Sequence, residues 1–159
     1  MTEHDLMTAQ NEGQNMTSTL NDHEIPLTAV WANAQKDEIA IQGNGEESLK
    51  RDSGPHTFKF VLDDKTGTNV RFKAVDDPNV GTPMLWAKDD CTVCPPAQSS
   101  SSLIDNVKRK SDTEASFRDK NDNKTPNVKV GYQLNFDCDD KNVTKPIAFD
   151  PVLDNGGKS

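Results

Sequence analysis

The chain has 159 residues and a formal net charge of −8, with 28% charged and 32% hydrophobic side chains. That length suits one domain, at roughly 100–200 residues each. No run approaches the roughly 18 apolar residues of a membrane-spanning helix, and the acidic balance argues against nucleic acid or an anionic membrane as a partner.

The charge is unevenly spread. Residues 1–56 hold ten acidic and three basic side chains, whereas residues 57–159 hold sixteen and fifteen. Only eight of the 31 Leu, Ile, Val and Phe residues fall in the first 56. Low apolar content with a net charge leaves too little burial to offset ordering entropy. The sequence therefore predicts an acidic, largely disordered N-terminal arm over 1–55, and a folded domain over 56–159 that ends in a short polar tail. The first 24 residues have neither the basic nor the apolar stretch of a secretory signal, so a cytoplasmic location is expected.

One part of the arm stands apart. Between 25 and 41, Leu27, Val30, Trp31, Ala34 and Ile41 fall near helical spacing, with Pro26 suited to a first turn. The same residues also read as two short strands, 27–32 and 38–42. The element is expected to lie as a strap on the domain; alternatively, Leu27, Val30 and Trp31 form a partner-binding motif anchored by the indole. Residues 43–54 read as a Gly-punctuated linker.

From Thr57 the apolar period becomes two. Phe58, Phe60 and Leu62 alternate with Thr57, Lys59 and Val61, and Val70, Phe72 and Ala74 with Arg71 and Lys73. With the turn at 63–67 between them, these predict a β-hairpin. A third strand is expected over 84–88, and shorter ones over 103–107 and 115–117. The clearest signal is Val128, Val130, Tyr132, Leu134, Phe136 and Cys138. Their strict alternation predicts a long strand with one buried and one wet face, Lys129, Gly131, Gln133, Asn135 and Asp137 lying on the wet side. Residues 144–149 return alongside it. The fold expected is all-β: a small antiparallel β-sandwich, Ig-like, of about six or seven strands behind the flexible arm.

Three patterns carry possible chemistry. Cys91-Thr92-Val93-Cys94 is a C-x-x-C pair. The prolines after it and the lack of a βαβ pattern disfavour a redox site, whereas zinc would need Cys138 as a third ligand and His56 or Asp139 as a fourth. Asp119-Lys120-Asn121-Asp122-Asn123 places oxygen side chains at alternate positions, as calcium loops do, but lacks the later Gly and Glu of an EF-hand. Asp137, Asp139 and Asp140 form a second oxygen cluster, and Asx-rich turns of both kinds commonly serve their own backbone. The run Lys108-Arg109-Lys110 reads as a solvated loop.

Catalysis is not expected. His4, His23 and His56 all lie in or at the edge of the arm, so no Ser–His or Cys–His pair forms in the core unless the arm folds back. The reading that results is a non-catalytic binding or structural module with a protein partner and no cofactor. The alternative is a metal-binding protein, with zinc on Cys91, Cys94 and Cys138 or calcium in the Asx-rich turns.

Overall fold

A computed structural model describes residues 21–75 and 83–159. They form strands and connecting loops with no helix, hence no helix long and apolar enough to cross a membrane. The strands are β1 (Asp22–Trp31), β2 (Ile39–Gln42), β3 (Glu47–Leu49), β4 (His56–Asp64), β5 (Arg71–Phe72), β6 (Leu85–Asp89), β7 (Ile104–Ser111), β8 (Glu114–Asp119), β9 (Val128–Asp137), β10 (Ile147–Phe149) and β11 (Val152–Asn155).

They build two sheets. The first has the order β2-β1-β4-β8-β7. The second is built around β9, which pairs with β10 and β11 as well as with β5 and β6; β3 lies beyond β11. The sheets meet through aromatic side chains. Tyr132 of the second stands edge-on to Phe117 of the first, ring centroids 5.1 Å apart, and Phe60 lies 5.9 Å from the same ring. Tyr132 is fully buried, and its hydroxyl donates to the Gly45 carbonyl at 2.8 Å. An aromatic with one polar tip needs such a partner when buried.

The all-β class expected from the sequence is what the chain forms, but several details differ. Both sheets are mixed, because β1 runs parallel to β4 and β11 parallel to β3. Eleven strands occur among the described residues, because short segments without visible alternation, such as β3, are recruited by their neighbours.

Residues 21–55 are built into both sheets. β1 lies between β2 and β4, in a parallel ladder running from Asp22 opposite Thr57 to Ala29 opposite Asp64. Ile25, Leu27 and Ala29 are its buried face, so the two-strand reading holds and the helical spacing of 25–41 does not. Pro26 is tolerated because β2 begins pairing only at Thr28, leaving that edge of β1 open where the proline sits. The disorder expected of residues 1–20 concerns residues outside the described part of the chain.

The expected hairpin of 57–62 with 70–74 does not form. β4 pairs with β1 and β8, while β5 joins β9 in the other sheet. The turn between them is a bridge from one sheet to the other, organised by Asp64. Its Oδ1 accepts from the Thr66 amide and hydroxyl, and its Oδ2 accepts from the Val70 amide.

The basic run 108–110 lies on β7, not in a loop. β7 is an edge strand, broken by a bulge where Asn106 takes φ 54°. A bulge and charged side chains are the usual defences of an exposed edge against further strand pairing.

Candidate functional site

The second sheet carries the main candidate on its outer face. The alternation of β9 gives two faces, as expected, but both are buried. Gln133 is 6% exposed and Asn135 3%. The loop that follows β6 covers them. Gly131 permits its approach: a Cβ there would lie 3.0 Å from the backbone oxygens of both Cys91 and Val93. A wet face became a roofed one because the covering segment is remote in sequence.

Beneath that roof the polar groups satisfy one another. The Cys94 thiol donates to Gln133 Oε1, Gln133 Nε2 donates to Asn135 Oδ1 at 2.7 Å, and Asn135 Nδ2 donates to the Pro83 carbonyl at 2.9 Å. Trp86, directly across from Gln133 on β6, is the exception. Its indole N–H is buried with no acceptor. Beside this row opens a cleft of about 580 Å³, lined by Trp86, Val143 and Pro146 and flanked by a Lys73–Asp137 ion pair at 2.6 Å. The volume falls in the range of ordinary ligand clefts, roughly 300–1,000 Å³.

The three cysteines are each engaged separately. Cys91 Sγ donates to the Val93 carbonyl, Cys94 to Gln133, and Cys138 to the Asp140 carbonyl. Cys94 and Cys138 both line the cleft, but no group of three His, Cys, Asp or Glu side chains suited to a metal occurs among the described residues. The other ligands named with them are committed elsewhere: His56 is in the first sheet, and Asp139 binds Arg71 and Asn69. Burial pushes the Cys94 thiol up, and Asp150 beside it acts in the same direction. The thiol is thus held protonated, the opposite of what nucleophilic or redox chemistry requires.

The sequence-predicted partner motif divides. Leu27 is fully buried and belongs to the core, so it offers nothing to a partner. Val30 and Trp31 are half-buried, at the β1–β2 ladder. The oxygen cluster at 137–140 is used internally: Asp137 pairs with Lys73, Asp139 with Arg71, and Asp140 accepts from the Asn142 amide.

A second polar cluster, which sequence reasoning missed, lies at one end of the sandwich. β1 folds back on the domain and brings His23 to His56. Ser53 Oγ lies 2.8 Å from His56 Nε2, His56 Nδ1 lies 2.9 Å from His23 Nε2, and His23 Nδ1 lies 3.8 Å from Glu47. Counting hydrogens settles its chemistry. The Ser53 hydroxyl donates to the Lys50 carbonyl at 2.6 Å and accepts from Asn121 Nδ2 at 3.1 Å. His56 Nε2 must then be the donor to Ser53, so it is not a base that could activate that hydroxyl. His56 is 6% exposed, and burial, with help from the charge of His23, lowers its pKa. The row is a buried seam of hydrogen bonds rather than a nucleophilic centre. The signal was the sequence distance between His23 and His56, which only the parallel β1–β4 ladder closes.

Next to the seam, Asp119 is fully buried at the end of β8. Its Oδ1 accepts from the Asn121 amide at 2.9 Å and from Asn155 Nδ2 at 2.7 Å. Burial raises the carboxyl to about 6 against those two hydrogen bonds.

No protein-family model matches this chain, and neither a curated protein nor a solved structure matches it.

Proposed function

We propose that the protein is a non-catalytic binding module that takes a segment of a protein partner in the cleft on the outer face of the second sheet. The observation that carries this reading is the Trp86 indole N–H, buried without an acceptor beside the Gln133–Asn135 amide pair. A buried donor left unpaired costs on the order of 1–3 kcal/mol. A peptide carbonyl entering the cleft would remove that cost, while the Trp86 ring, Val143 and Pro146 would take an apolar side chain. The ion pair of Lys73 with Asp137 leaves the rim locally neutral, which suits an uncharged segment better than an anion.

The test follows the indole itself. The chain has two tryptophans, so the Trp86 N–H resonance is assigned by comparison with Trp86→Phe. Partners captured on immobilised full-length protein are titrated back into labelled protein. The expected result is a shift of the Trp86 N–H and loss of capture by Trp86→Ala. Capture that survives both Trp86→Ala and Asn135→Ala would move the interaction surface elsewhere.

A further inference from the structure

We propose that Asp119, Asn123 and Asn155 enclose a calcium ion between the two sheets. This site is separate from the cleft and does not depend on the binding reading above.

Each of the three side chains has an oxygen that is buried and without a partner: Asp119 Oδ2, Asn123 Oδ1 and Asn155 Oδ1. Asp119 and Asn155 are both 0% exposed. Direct hydrogen bonds hold the group together. Asn155 Nδ2 reaches Asp119 Oδ1 at 2.7 Å, and Asn123 Nδ2 reaches the Asn155 carbonyl at 3.3 Å and that of Thr125 at 2.8 Å. Each amide nitrogen is therefore already used as a donor, and each amide oxygen is the end left over.

The accounting decides what fits. Three acceptors are present and no donor faces them. A water molecule brings two hydrogens, and a proton on Asp119 would serve its own Oδ2 and one amide oxygen only. A cation held between the three residues would answer all of them. No basic side chain is paired with these oxygens among the described residues. Arg118, next to Asp119 in the chain, is turned to Asp105 in a two-pronged pair at 2.7 and 2.8 Å. Lys120 lines the neighbouring cleft instead.

Calcium accepts neutral amide oxygens and irregular geometry, whereas magnesium prefers an octahedral shell that keeps its waters. An enclosed set of one carboxylate and two amides favours the former. Asp122 is exposed and lines a cleft of about 320 Å³ together with Asn121 and Gly157. The alternate oxygens at 119, 121 and 123 thus act differently from an EF-hand start. Asn121 turns away, its Nδ2 donating to Lys50, Ser53 and Gly54 and its Oδ1 accepting from the Gly157 amide. Asn155, from β11 of the other sheet, takes its place, so the ion would clamp β8 to β11.

The experiment uses full-length protein stripped with a chelator, then titrated calorimetrically with calcium chloride, with sodium chloride at matched ionic strength as control. The expected result is one calcium per chain and a raised melting temperature. Asp119→Asn should abolish both responses; its amide adds a donor for the orphaned oxygens, which favours a folded variant. Asn123→Ala, at a half-buried position, should weaken affinity by roughly tenfold through loss of one ligand. Absence of heat and of any melting shift at about 10 mM calcium, well above the weakest known calcium modules, would overturn the proposal. So would a calcium response that persists in Asp119→Asn, or, should that variant not fold, one left unchanged in Asn123→Ala.

Discussion

His56 shows how one residue can report the state of the fold. Its imidazole is buried against His23 and Ser53, and burial lowers its pKa. In the unfolded chain it binds a proton near pH 6.5; in the folded chain it resists that proton. The stability it contributes is therefore complete above about pH 6.5 and declines as pH falls through the lowered folded value. Urea midpoints measured between about pH 5 and 8 should show this fall, and the slope should flatten in His56→Gln. Gly131 is a second such position. A methyl there meets two backbone oxygens at 3.0 Å, which cannot move without lifting the loop from β9. Gly131→Ala should cost about 1–3 kcal/mol in urea unfolding, the usual range for forcing atoms into a packed site, with the Trp86 environment perturbed at the same time.

Among elements, the bridge from β4 to β5 depends on a single carboxylate. Asp64 accepts two backbone amides and the Thr66 hydroxyl. Asp64→Ala removes the acceptors of all three hydrogen bonds and should destabilise by about 2–3 kcal/mol in chemical denaturation, from roughly 1 kcal/mol per net hydrogen bond; Asp64→Asn should recover part of the loss. The same bridge marks where reading the sequence went astray. Alternation in 57–62 and 70–74 announces two strands and a turn, and those exist. It does not say that the second strand pairs with the first, because side-chain period is a property of one strand and pairing is a property of two. β9 was legible for the opposite reason: its length and regularity identify a strand whatever lies beside it. Its buried amides, and with them the candidate cleft, were not legible. Gln133 and Asn135 look solvent-facing until a loop more than thirty residues away in the chain covers them.

For the whole molecule, the decisive fact is that the acidic first third is part of the sandwich from residue 22 onward. Ile25, Leu27, Ala29, Ile39 and Leu49 all enter the common core. Burying a large aliphatic side chain is worth about 1.5–3 kcal/mol, so losing these together approaches the roughly 5–15 kcal/mol that holds a domain folded. A truncation to 56–159 should accordingly lose its near-ultraviolet circular dichroism and its cooperative melt. A cooperative melt matching that of the full chain would show that β1 to β3 are dispensable.

By itself the sequence determined the all-β class, the place of the long central strand β9 and the punctuation by Asx-rich turns. These follow from local chemistry: alternation, turn-forming side chains and β-branched or aromatic content act over a few residues. Tertiary structure alone decided that β1 runs parallel to β4, that His23 reaches His56, that a loop roofs the outer face of β9 and that Asn155 faces Asp119. Each of these joins segments at least thirty residues apart. Their free energy comes from burial and from satisfying polar groups across that distance, which no local pattern records.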